Sequence, residues 1–200
     1  MGKRKEALCP VCYSLERHRL QALLLKKIEE NSDLKRRQIL HFAPEKGLKK
    51  IFQHKASFYY TTDLNTQYSS DIDFKSDITF IPFKNETFDI IWASHILEHV
   101  KEDEKAIHEI ARVLKKGGIA VLPVPVNGEK TVEYDKPNEA EEGHVRQPGF
   151  DYFKKYSKFF EKVEIYSSND FDNKYRVAVI SKDKNNKWFI SKDYVPLCIK

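Results

Sequence analysis

Long apolar runs are missing from this chain of 200 residues. None approaches the ~20 residues that a membrane helix needs, so no spanning segment is expected. Cysteine is scarce. Cys9 and Cys12 form a C-P-x-C pair and Cys198 stands alone, which excludes a disulfide framework. The basic start, Met1-Gly2-Lys3-Arg4-Lys5, lacks the apolar stretch of a secretory signal, and the expected compartment is the cytoplasm. Internal repeats and low-complexity tracts are absent. A full zinc ligand set is absent too: zinc wants four ligands, and Cys9 and Cys12, even with His18, supply three. The pair reads as reduced thiols, and no residue is assigned to a metal.

What is present fits one globular domain. The chain is long enough to bury a full core, and its charged and apolar fractions are ordinary. Charge is uneven. Residues 1–60 carry 14 Lys+Arg against 6 Asp+Glu, whereas the remainder carries 21 against 24. A basic N-terminal third could favour an anionic partner such as nucleic acid or a phosphorylated sugar; the plainer reading is a solvated helix face with a basic tail.

From Ser14, a candidate N-cap, Leu15, Leu20, Leu23, Leu24 and Ile28 recur at helical spacing until Asn31. Short strands are expected at 38–42, 57–62 and 72–74, with a helix over 46–53, and a buried strand at 88–93. Ala106, Ile107, Ile110, Ala111 and Leu114 make the stripe of a helix over 102–115, ended by Gly117-Gly118. A strand follows at 119–122. Residues 127–149 read as polar loop, and 151–160 as helix. Strands at 162–166 and 175–180 read as an antiparallel pair, and 188–199 has no clear reading. The expected architecture is a doubly wound, Rossmann-like α/β fold with a seven-stranded, mostly parallel sheet and an antiparallel C-terminal hairpin. The divisions are an N-terminal extension over 1–36, the domain proper over 37–182, whose doubly wound part spans 39–126 with its clearest pattern over 78–126, and a tail over 183–200.

In such a sheet, ligands bind beyond the carboxyl ends of the strands. That directs attention to His41–Gly47, Asp63–Asn65, Asp77–Ile78, Ala93–His99 and Val124–Arg146. Asp63 ends the second strand, where a carboxylate can accept two hydrogen bonds from a ribose diol; an Asx-turn is the alternative. Asp77 could accept from an adenine amine while Ile78 packs on the ring, and a turn role is again the alternative.

The run "SDITFIPFKNETFDIIWASHILEHV", followed by "IHEIARVLKKGGIAVLPVPV", resembles the class I S-adenosylmethionine-dependent methyltransferases. In that family an Asp-x-x-x-x-Pro-Phe run precedes "FDxI", "HxLEH" and a helix ending "RVLKxGG". The pieces "CPVCYSLERHRL", "LHFAPEKGL" and "GHVRQPGFDYF" resemble a narrower bacterial group of unassigned substrate, in which a further cysteine pair often lies upstream. The resemblance implies S-adenosylmethionine as cofactor and S-adenosylhomocysteine as product. It puts Asp63 and Leu64 at the ribose, Asp77 and Ile78 at the adenine, and His41, Ala43, Glu45, Gly47 and Ser94 around the methionine moiety. The family's acidic-x-Gly-x-Gly-x-Gly loop departs here to His41-Phe42-Ala43-Pro44-Glu45-Lys46-Gly47, with one glycine left and Glu45 as the available acid. A nicotinamide cofactor is disfavoured because no G-x-G-x-x-G occurs.

His95 is the first candidate for a base, since imidazole titrates near neutrality. His144 is a second, and Arg146 could clamp an anionic group or order its loop against Glu139, Glu141 or Glu142. Glu98 and His99 read as structural. The expected partner is a small-molecule acceptor, because the "N/D-P-P-[FYW]" run of base-amine methylation is absent. The alternatives are methylation of RNA and a non-catalytic fold that holds nucleic acid or a protein through the basic N-terminal third. No membrane partner is expected, and the oligomeric state is not readable.

Overall fold

The structure, a computed structural model, describes residues 4, 7–65, 72–182 and 187–200. Lys3 and Lys5 of the basic start lie outside the described residues. In chain order the elements are α1 (Glu16–Glu30), β1 (Gln38–Phe42), α2 (Lys46–Lys55), β2 (Phe58–Asp63), β3 (Phe74–Lys75), β4 (Phe88–Ala93), α3 (Asp103–Val113), β5 (Leu114–Val121), β6 (Val132–Asn138), β7 (His144–Gln147), β8 (Lys162–Ser167), β9 (Val179–Lys182), β10 (Trp188–Ser191) and β11 (Tyr194–Ile199). Short 3₁₀ segments include Leu97–His99 and Phe150–Lys158.

Seven strands form one sheet in the order β3-β2-β1-β4-β5-β11-β8. The first five are parallel, and β11 runs antiparallel to both of its neighbours. This is the expected architecture, reached with a different last strand. The partner of β8 is residues 194–199, not 175–180. Residues 179–182 instead pair with 188–191 in a separate ribbon. Part of the expected tail therefore lies inside the sheet. The stretch 127–149, expected as loop, contains the antiparallel pair of β6 and β7.

The alternation of strand side chains decides the layers. Leu40, Phe42, Ile91, Ala93, Ala120 and Leu122 point to one face, where α3, Tyr152, Phe153 and Tyr156 cover them. Ile39, Ile90, Trp92 and Val121 point to the other, beneath α1 and α2. The N-terminal helix is thus a core element, burying Leu20, Leu24, Leu25 and Ile28. Its N-cap is Leu15, whose N–H bonds His18 Nδ1 at 3.3 Å; the Ser14 hydroxyl instead contacts Cys12 Sγ at 3.2 Å. The three cysteines are free thiols, and hydrogen bonds to Ser14 hold the Cys12 thiol down to about 7.

Helix α3 carries Asp103 and Glu104 in its first turn and Arg112 in its last, matching its dipole. It ends at Val113, and the chain passes straight into β5. Gly118 sits inside that strand: a Cβ there would lie 2.8 Å from Lys115 O and 3.0 Å from Asp89 O, so only glycine lets β5 close on β4.

Leu197 is 7% exposed. Its replacement by alanine should cost about 2–5 kcal/mol, read as a lowered urea midpoint. Ile190 on the outlying ribbon is 72% exposed, and Ile190→Ala should stay within about 0.5 kcal/mol. Equal effects of the two substitutions would contradict this placement of the last strand.

Candidate cofactor and acceptor site

Strand order reverses between β1 and β4, and the crevice of a doubly wound sheet opens there. Two residues flank it in the left-handed backbone region: Ala43 after β1 (φ 43°) and His95 after β4 (φ 54°). That conformation costs a non-glycine residue roughly 1–2 kcal/mol. Two such residues at the carboxyl ends of adjacent strands mark strain held at one edge. Backbone bonds hold both turns, Ala43 N to Thr62 O at 2.8 Å and His95 N to Pro123 O at 2.9 Å.

Beneath the crevice runs a chain of buried polar groups. Trp92 Nε1 donates to Gln21 Oε1 at 2.8 Å, and Gln21 Nε2 donates to Ser94 Oγ at 3.0 Å. The Ser94 hydroxyl bonds the carboxylate of Glu45. Glu45 Oε2 lies 3.2 Å from His41 Nε2, and His41 Nδ1 lies 2.9 Å from the Tyr59 hydroxyl. Polarity runs consistently, with donors converging on Glu45 from both ends. Burial pushes the Glu45 pKa up, but hydrogen bonding and charge from His41, with the Ser94 hydroxyl, outweigh it and leave the carboxyl below its ordinary value. Glu45 is therefore a fixed anion at the place where a cofactor ammonium is expected. His41 is fully buried with both ring nitrogens engaged. It holds Glu45 and has no face for a ligand, which corrects its expected direct contact. Gly47 lies in the first turn of α2 with open space where a Cβ would be, so no close approach requires glycine there.

On the β2 side, Asp63 is half-buried at the strand end. Its Oδ1 accepts from Asn65 N at 3.0 Å in a turn, so the turn role is present. Asp77 also makes its turn, with Oδ1 accepting from Thr79 N and Oγ1, both at 2.8 Å. Ile78 is buried in the core behind it. Leu64 and Phe80 are exposed apolar side chains on this edge. Phe80 was not singled out in the sequence, although an aromatic three residues past Asp77 was its signal.

On the β4 side, His95 Nδ1 lies 3.3 Å from Glu98 Oε1. Among the described residues, His95 Nε2 and Glu98 Oε2 are buried without a partner. The rings of His99 and His144 meet edge-on at 4.7 Å. Burial holds the His144 pKa below its ordinary value, against the pull of Glu98. Further acids lie nearby. Glu16 is buried; its Oε2 pairs with Arg4 Nη1 at 3.3 Å, and its Oε1 lacks a partner among the described residues. Burial raises the Asp193 pKa, while the charge of His95 opposes the rise. His18 senses both Glu45 and His95, and burial followed by the charge of Arg17 keeps it below its ordinary value. The start of α1 thus leans over the crevice.

Arg146 does not face this space. Its side chain is 3% exposed. Nη1 donates to Leu97 O at 2.8 Å and Val100 O at 2.6 Å, Nη2 to Lys101 O at 3.1 Å, and Nε to Glu133 at 3.0 Å. Asp103 lies 3.5 Å away and also accepts from Tyr152 and Lys155. An acceptor clamp is therefore corrected to a clasp that fixes the 97–99 turn against β7. The expected ion-pair alternative holds in kind, but with Glu133 and Asp103 as the partners. A separate cleft, lined by Leu24, Asn31, Arg37, Asp89 and Tyr166, opens at the amino ends of the strands, away from these groups.

Comparison with known proteins bears on the fold. Residues 39–122 match the family described as Methyltransferase domain. A SAM dependent methyltransferase from Archaeoglobus fulgidus superposes with a TM-score of 0.62 at 15% identity, covering 94% of this chain and 95% of that one. An S-adenosylmethionine dependent methyltransferase from Mesorhizobium loti gives 0.59 at 13%, covering 92% and 97%. The chain shares the fold of these methyltransferases. A stretch of 63 residues is 36% identical to sterol 4-C-methyltransferase strm-1 of Caenorhabditis elegans, but it spans 32% of this chain and 18% of that relative. The same fold is shared by the [4+2]-cyclase SpnF, with a TM-score of 0.54 at 20% identity over 72% of this chain and 58% of that one, so the reaction has to be argued from the site.

Gln21 is the residue the structure most plainly adds to the sequence reading. Its signal was a polar side chain on the stripe of Leu20, Leu24 and Ile28.

Two outcomes follow. Arg146→Ala should lower stability by about 3–5 kcal/mol in denaturant melts, as removal of one partner of a buried pair does; Arg146→Lys should recover only part, because an ammonium cannot reach all these acceptors. Because the folded Glu45 pKa is depressed, its contribution is present above the unfolded value near ~4.3 and is lost as pH falls through the folded value. Glu45→Gln should therefore flatten the acid limb of a stability–pH curve, and an unchanged limb would count against the ion pair.

Proposed function

We propose that the chain is an S-adenosylmethionine-dependent methyltransferase acting on a small polar acceptor. The observation that carries the reading is the fixed Glu45 carboxylate at the switch point, with Asp63 at the end of the neighbouring strand, in a domain that matches the methyltransferase family. The residues present fit the cofactor. Glu45 suits the ammonium, Asp63 the ribose diol, and the remaining oxygen of Asp77 the adenine amine. Leu64 and Phe80 offer apolar surface to the base.

When bound, the cofactor supplies a methyl group on a sulfonium, which transfers by in-line displacement without prior activation. The chain's own task is then alignment and exclusion of water. Where the acceptor carries a proton, His95 Nε2 takes it. Glu98, beside Nδ1, fixes the tautomer that leaves Nε2 basic. Glu98 against His95, with Asp193 within reach of the same imidazole, suits a hydroxyl or amine acceptor. His144, edge-on to His99, is the second candidate for that base.

Calorimetry tests this. S-adenosylmethionine should bind with unit stoichiometry, and Asp63→Ala should weaken it about tenfold or more, since a hydrogen bond to a charged group contributes about 1.5–3 kcal/mol. No binding at millimolar cofactor would overturn the reading. Steeply salt-dependent capture of RNA would favour the nucleic-acid alternative instead.

A further inference from the structure

Glu98, His99 and His144 bring one ligand atom each to within 4.8 Å of one another. Two imidazoles and one carboxylate are a ligand set of catalytic zinc sites and of other open first-row metal sites. A second observation points the same way. Glu98 is 1% exposed, and its Oε2 has no hydrogen-bond partner among the described residues. A buried carboxylate oxygen left unmatched costs about 1–3 kcal/mol or more, and a cation is the partner that cancels this. We infer that Glu98, His99 and His144 bind one divalent transition-metal ion on the acceptor side of the crevice.

The surroundings are built for it. Glu98 and His99 lie on one 3₁₀ turn, His144 opens β7, and the Arg146 clasp locks the two together through the carbonyls of Leu97, Val100 and Lys101. Glu141 Oε2 stands 3.7 Å from His144 Nδ1, and a carboxylate beside a ligand imidazole orients it. Bonds of about 2.1 Å place ligand atoms roughly 3–3.5 Å apart in a tetrahedral site. The cluster therefore contracts by about an ångström on loading, and the exposed His99 ring has the freedom to supply that movement. Three protein ligands leave a position open for an acceptor oxygen. That last role rests on the methyltransferase reading; the metal site does not.

The test uses the full chain carrying Cys9→Ser and Cys12→Ser, to remove thiolate ligands, after chelation and dialysis. Cobalt(II) is titrated in and its visible d–d absorption recorded. The expected result is one equivalent bound, displaced by zinc(II), with affinity lowered more than about a hundredfold by His144→Ala or Glu98→Gln. His108→Ala, on the outer face of α3, should leave it unchanged. Circular dichroism establishes that each variant is folded, and His99→Ala, at an exposed position, provides a second variant should Glu98→Gln unfold. Absence of binding below millimolar cobalt, or equal binding by the parent and the His144→Ala and His99→Ala variants, overturns the proposal. Metal binding without any S-adenosylmethionine binding would sink the methyltransferase reading while leaving the metal site in place.

Discussion

The constraint on which the site depends is that Glu45 stays ionised while largely buried. A carboxylate in that position has to be met by donors: His41 on β1 and Ser94 after β4 bond it directly, and Tyr59 on β2 and Gln21 from α1 hold those two in turn. The glycine-poor loop makes sense in that light. A backbone cradle needs several glycines; a side-chain anion held by hydrogen bonds needs only one sharp turn, which Ala43 makes. Gln21, bridging Trp92 and Ser94, then makes α1 part of the site's foundation as well as of the core.

The opposite wall rests on a different device. Arg146 gathers three carbonyls at the end of a 3₁₀ turn and two acids from separate elements. Its guanidinium fork turns a polar ribbon and an irregular turn into one rigid unit. The histidines and acids on the crevice side of that unit are thereby placed without a regular helix beneath them. Rigid backing of this kind is what a binding constellation requires.

Legibility of the fold followed the strength of the patterns. Residues 88–93 and 103–113 were readable because a continuous apolar run and a helical stripe each match one period. Strand β11 was not readable, since Pro196 argues against a central strand. The structure resolves this by register: pairing with β5 begins at Leu197, and Pro196 needs only its carbonyl, which accepts from Leu122 N at 3.3 Å. Residues 132–147 looked like loop because both faces of that ribbon are largely polar and no alternation marks it. In the site, Glu45, Asp63 and His95 could be located from strand ends alone. The burial of His41, the engagement of Arg146 and the proximity of His144 to Glu98 depend on tertiary contacts between distant segments, which no local pattern encodes.

The place of β11 also has a consequence for how the molecule is made. Synthesis runs from the N-terminus, and β5 is complete more than seventy residues before β11. During that interval β5 is an edge, presenting unpaired backbone groups along one side. β8 emerges earlier and cannot be seated until the strand that separates it from β5 arrives. Until β11 has been made, the sheet therefore stays open along β5.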